Sequence, residues 1–195
     1  MKIAIKLLET KYGSWKKEKK YFFNCEQFKY RNPTRLNLIY NEPKYNQNLA
    51  FLSKENVVCG SDLLEFYKNY NGLSFFQHSF VIFGYQPSLE IGYVPLDMAS
   101  MNRNLKIRHK NWNNDFVSIG EYGKYDFCLY KGDNQGTIYI VDRETSKIAN
   151  KFKTFNDLIE YSVAKLLTMY DKDGYKIGVS KNTVPIHNIS LEDIY

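Results

Sequence analysis

Glu121 and Lys124, spaced Glu-x-x-Lys, together with Asp97 and Asp115, come nearest to a reaction site in this sequence. Carboxylates that gather a divalent cation, beside a lysine that steadies an anion, are what phosphodiester hydrolysis needs. The Glu-x-x-Lys pair falls on a predicted hairpin turn, however, where charged residues serve solubility equally well. His78, His109 and His187 are distant from one another, and none has the spacing of a zinc motif such as HExxH. Cys25, Cys59 and Cys128 are odd in number and widely separated, which reads as reduced thiols in a cytoplasm rather than a disulfide framework or a zinc site. Asp171 to Gly174, DKDG, invites a calcium reading. An EF-hand loop needs Gly sixth and Glu twelfth, whereas here Gly is fourth and Asn182 twelfth, so a helix C-terminus is the better account. Neither a glycine-rich phosphate loop nor a G-x-S-x-G elbow is present. The expectation is a protein that is not an enzyme and uses no cofactor or metal.

What remains is surface. Trp112 stands among Asn111, Asn113 and Asn114, and a tryptophan so placed is either a core plug or an interface anchor. The residues expected to meet a partner are Trp112, Asn114, Glu121, Tyr122 and Tyr85, all in or beside loops at the margin of a sheet.

The scaffold that must position them is organised around Ser61 to Phe76, SDLLEFYKNYNGLSFF. Ser61 suits an N-cap, and Asp62 suits the positive first turn. Leu63, Phe66, Tyr67 and Tyr70 recur at three- and four-residue spacing, and Asn71-Gly72 is a stop, so a helix of about ten residues is predicted, with a sheet beginning just after Phe76. Ser79 to Tyr85 reads as a buried strand. Pro95 opens a helix running through Asn104, and Leu105 to Asp115 reads as a loop. FVSIGEY, DFCLYK, GTIYIVD and SKIANKF, between Phe116 and Phe152, read as four strands joined by turns short enough to force antiparallel pairing. Thr154 caps a last helix whose stripe is Phe155, Leu158, Ile159, Val163, Leu166, Leu167 and Tyr170, closed by Gly174.

A length of 195 residues is enough for one well-filled core, and 16% aromatic content makes that core ring-rich. Residues 1–35 carry ten Lys/Arg against three Asp/Glu, while the whole chain carries 27 against 21, so the other 160 residues hold 17 against 18. The net charge of +6 therefore belongs to a basic N-terminal extension, a solvated face or an arm for an anionic partner. Within it, Lys2 to Tyr12 reads as a short helix or an edge strand with Ile3, Leu7 and Leu8 on one side. The expected organisation is extension 1–35, domain 36–174 and tail 175–195. No segment reads as a signal peptide or a membrane span, so a cytoplasmic protein without a membrane partner is expected, with nucleic acid disfavoured by the lack of an arginine cluster.

Taken in order, LLEFYKNYNGLSFF, the strand ending in IFGY, FVSIGEYGKYDFCLY, GTIYIVD and the helix FNDLIEYSVAKLLTMYDKDG resemble the SUKH superfamily over Ser61 to Gly174. The resemblance implies an α+β fold with a twisted, mostly antiparallel sheet covered by helices, and binding rather than turnover. It implies, for bacterial members, an immunity protein that occludes a cognate polymorphic toxin, or, as in the fungal relative, a scaffold in cell-wall or signalling control. This chain departs from the family at Gly60-Ser61, where Leu-Pro is common, and in being basic where many immunity proteins are acidic. No binding residue is fixed by a family motif.

Overall fold

Where apolar residues alternate the chain forms strands, and where they recur every three or four residues it forms helices. The computed structural model describes residues 2–12, 15–18, 22–25, 37–39, 44–75, 79–86, 96–171 and 177. In chain order the elements are α1 (Lys2–Tyr12), β1 (Trp15–Glu18), β2 (Phe22–Cys25), β3 (Asn37–Ile39), α2 (Tyr45–Lys54), α3 (Ser61–Asn69), β4 (Leu73–Phe75) and β5 (Phe80–Ile82). They continue with α4 (Met98–Arg108), β6 (Phe116–Tyr122), β7 (Tyr125–Tyr130), β8 (Ile138–Asp142), β9 (Ile148–Phe152) and α5 (Phe155–Met169). The strands form one sheet in sequence order, each antiparallel to the next, so the fold is α+β with an antiparallel sheet covered by helices. One parallel bridge, Gly84 to Asp97, joins the end of β5 to the start of α4. His78, His187, the Pro87-Ser88 turn and the tail beyond residue 177 lie outside the described residues.

The organising helix forms with the expected stripe, and Leu63, Phe66 and Tyr67 are buried. Its ends differ from expectation. Gly60, in an extended conformation, is the N-cap and Ser61 is already helical. Asp62 does the capping, since its carboxylate accepts the Leu63 N–H at 3.0 Å and the Asn156 N–H at 2.6 Å. That second bond lies in the first turn of α5, where Thr154 Oγ1 also accepts the Asp157 N–H at 3.1 Å. One carboxylate thus satisfies orphan amides at the positive ends of two helices. Asp62→Ala is expected to lower stability by about 1–2 kcal/mol, measured as a shift in urea midpoint at unchanged slope; a loss no larger than that of an exposed alanine substitution would show the link to be idle.

The helix stops at Asn69 with Tyr70 extended, and the sheet resumes at Leu73, before Phe76. Gly72 takes the expected positive φ, 100°, just past the helix, and Asn71 beside it is a buried polar residue. Likewise α4 starts at Met98 behind an Asp97 cap rather than at Pro95, and it runs on to Arg108. Leu105 to Arg108 is helical because Leu105 continues the buried stripe of Met98 and Asn102. At the other end of the chain α5 closes at Met169, short of Gly174.

β7 and β8 divide the interior in two. Tyr125, Phe127, Leu129, Ile138 and Ile140 join the main core, filled by Leu63, Phe66 and Tyr67 of α3 and by Phe155, Leu158, Ile159 and Val163 of α5. Cys128 and Val141 point the other way, into a smaller cluster with Leu105, Trp112 and Phe116. α1 is a helix, and it buries Ala4, Leu8 and Tyr12 while Leu7 stays 40% exposed, so the inward face keeps Leu8 of the expected side and leaves Leu7 outside it. It lies on α5, where Lys11 Nζ donates to the carbonyls of Leu167 and Tyr170. A cation at the unsatisfied carbonyl end of a helix is electrostatically favoured.

Candidate protein-interaction site

The Gly123-Lys124 turn sets Tyr122 opposite Tyr125 and Glu121 opposite Asp126, and the ladder register shifts between Ser118 and Gly120. Two carboxylates directly opposed on neighbouring strands repel. Arg143, one residue past β8, resolves the conflict by donating from Nε to Asp126 Oδ2 at 2.7 Å and from Nη2 to Glu121 Oε2 at 2.8 Å. The Ser118 hydroxyl donates to the other Asp126 oxygen at 2.7 Å, and Asp126 is fully buried. Burial pushes both carboxyl groups above their ordinary range, and Arg143 pulls them part of the way back. The nearby Asp126 charge adds to the upward push on Glu121. Burial lowers Arg143, but its two carboxylates outweigh that and hold it firmly charged.

Over this network lies α4. Asn102 Nδ2 donates to the Ser118 carbonyl at 2.7 Å, and Asn102 Oδ1 accepts the Ser118 N–H at 2.8 Å, so a side-chain amide completes the sheet hydrogen bonding of β6. Beyond α4 the chain returns to β6 through a segment tied to the β8–β9 turn. Ser146 Oγ donates to the Asn111 carbonyl at 2.6 Å and accepts the Asn113 N–H at 2.9 Å, while His109 Nδ1 sits 3.2 Å from Glu144 Oε1. Asn111, Asn113, Asn114 and Asp115 are exposed on this tied loop. Polar groups held at fixed positions on an exposed loop suit recognition of another surface, because little ordering remains to be done on binding.

The five residues expected to meet a partner divide. Asn114 is exposed, Tyr85 half-buried, and Glu121 reaches the surface only in part. Trp112 and Tyr122 fill the interior instead, at 6% and 1% exposed: Trp112 packs with Leu105, Phe116, Cys128 and Val141, and Tyr122 belongs to the main core. A large ring beside a sheet buries more apolar area inward than outward, which is why the core-plug alternative prevails. Trp112 and Asn114 precede β6 whereas Glu121 and Tyr122 end it, so most of the strand separates the two pairs.

The hydrolytic arrangement is not assembled. Glu121 is bound to Arg143, Lys124 lies 3.4 Å from Asp142, Asp97 caps α4 by accepting the Ser100 N–H, and the Asp115 carbonyl accepts the Lys131 N–H. Among the described residues no group of three or more His, Cys, Asp or Glu could hold a metal ion. Cys59 and Cys128 are free thiols, and burial pushes Cys59 up to about 11. Nor does any described helix have the length and apolar character to cross a membrane.

Comparison with curated proteins and with solved structures returns no significant match. Residues 46–158 match the SMI1 / KNR4 family (SUKH-1). That span begins in α2, fifteen residues before the stretch on which the sequence resemblance rests, and ends in the first turn of α5. It covers more than half of the 195 residues and takes in Asn71, Asn102, Asp126 and Arg143. The antiparallel sheet, its covering helices and this match together establish that the chain belongs to the SMI1 / KNR4 (SUKH-1) family.

Proposed function

We propose that this protein is a non-catalytic immunity protein that binds a cognate protein toxin and occludes its active site or substrate path. The observation that carries the reading is membership of a family of immunity proteins and SMI1/KNR4-like scaffolds, matched from α2 through strands β4 to β9 into the first turn of α5. The tied loop 109–115 supports it, because occlusion needs a shaped, stiff surface and a few polar anchors. Asn114, Glu121 and Tyr85 are the contacts on this reading, with Trp112 and Tyr122 as the buried props beneath them.

The experiment is co-expression with the toxin gene adjacent to the one encoding this chain, followed by calorimetry on the purified pair. Cells carrying both genes should survive, and the pair should form a complex. Asn114→Ala and Tyr85→Ala should each weaken it about tenfold at an unchanged melting temperature. Toxicity undiminished and no complex formed would discard the immunity reading in favour of a cell-wall or signalling scaffold.

A further inference from the structure

Between Met98 and Asn114 the chain carries Arg103, Lys106, Arg108 and Lys110 and no Asp or Glu. α4 turns Met98, Asn102 and Leu105 inward, so at 100° per residue Ser100, Arg103 and Ile107 occupy the opposite, solvent face. Ile107 is 71% exposed, more than any other large hydrophobic among the described residues. Arg103 stands one turn before it on the same face, and Lys106 and Arg108 flank it.

Two ordinary explanations cover part of this. Lys106 and Arg108 sit in the last turn, where the helix dipole favours cations. Lys106 is further compensated by Glu55 at 3.5 Å, an acid it shares with Lys131. Neither explanation reaches Arg103, whose Nη2 donates to the Ser100 hydroxyl at 3.2 Å, or Ile107, and among the described residues no carboxylate pairs with Arg103 or Arg108.

We infer that the solvent face of α4 docks against an acidic protein surface, with Ile107 seated in an apolar socket and Arg103 and Arg108 pairing with carboxylates around it. The inference rests on the toxin-binding reading and adds the face used and the chemistry of the toxin surface that meets it. A nucleic acid fits less well, since a phosphate backbone offers no socket for Ile107. The face also presents no aromatic ring for base stacking, and the carboxylates of Glu55 and Glu144 beside it repel phosphate. The Asn102–Ser118 bonds fix α4 on the sheet, so the backbone under the ridge needs no ordering on binding.

The test is calorimetry of the full chain against the product of the adjacent toxin gene, at low and at physiological salt, with a 20-nucleotide DNA duplex as a second probe. Ile107→Ser should weaken toxin binding about thirtyfold. Arg103→Glu with Arg108→Glu should weaken it about a hundredfold and flatten its salt dependence; Ile107→Ser should melt close to the parent because its side chain is exposed, and the double reversal only slightly lower, by the dipole contribution of Arg108. Wild-type binding that both variants keep within threefold overturns the ridge while leaving the toxin reading intact. Failure of the wild type to bind overturns both. Duplex binding lost on arginine reversal but untouched by Ile107→Ser, without toxin binding through this face, also overturns it.

Discussion

Arg143→Met should remove about 3–5 kcal/mol of stability at neutral pH, because it strands two carboxylates that the sheet has placed face to face. The sign of the pH dependence follows from the direction of the shifts. In the parent the carboxyls of Glu121 and Asp126 are both pushed upward by burial, so the folded chain holds their protons more tightly than the unfolded chain. Their contribution is fully present below the unfolded values and is lost as pH rises through the raised folded ones. Removing the guanidinium takes away the main force pulling them back, so the deficit of Arg143→Met should be largest at neutral pH and shrink on mild acidification. Adding Glu121→Gln and Asp126→Asn should restore much of the loss, since neutral amides can face one another. Urea titrations at several pH values settle the matter; a deficit under about 1 kcal/mol at neutral pH, or one that grows on acidification, would show that Arg143 is not the counter-charge the geometry makes it.

A second large effect is expected at Asn71, which is 1% exposed. Its Oδ1 accepts the Tyr85 N–H at 2.8 Å and Asn48 Nδ2 at 3.0 Å, and its Nδ2 donates to the Tyr85 carbonyl at 2.8 Å. Asn71→Ala leaves three partners unsatisfied inside the protein and should cost about 3 kcal/mol. Asn71→Asp keeps the shape but loses the donor and adds a buried charge, so it should be no better at neutral pH. The same junction forbids a side chain at Gly84, where a Cβ would come within 2.1 Å of the Asn71 carbonyl oxygen. Backbone cannot yield as a flexible side chain can, so Gly84→Ala should cost about 1–3 kcal/mol. Thermal melts of both variants at or near the parental value would mean that the segment joining α3 to β4 is not pinned to the end of β5.

Much of the scaffold was legible in the residues. The four strands from Phe116 to Phe152 and the stripes of α3 and α5 were readable because each pattern repeats several times over a short span. Helix ends were less so. Ser61 is an ordinary capping residue, but its neighbour Asp62 can reach two helices at once, and that reach exists only after α5 has folded against α3. Asn71 looked like a turn signal since asparagine beside glycine usually is one; its burial depends on Tyr85, fourteen residues on.

The site was the least legible part. In sequence Glu121 groups with Lys124, Asp97 and Asp115, whereas its true partners are set by strand register. A two-residue turn at Gly123-Lys124 would have placed Asp126 across from it and raised the question of what neutralises the pair. Arg143 answers that question from just past the end of β8, a relation that no local spacing encodes. Trp112 could be read two ways because composition does not say which side of a loop faces the sheet.

The contact of α1 with α5 carries a consequence for synthesis. Lys11 reaches the carbonyls of Leu167 and Tyr170, across more than 150 residues of chain. A ribosome adding about 5–20 residues per second leaves the Ala4, Leu8 and Tyr12 stripe without its seat for roughly eight to thirty seconds. The meander between can zip up strand by strand as it emerges, but the first helix must wait for the last, and for that interval a nascent-chain chaperone has an apolar handle to hold.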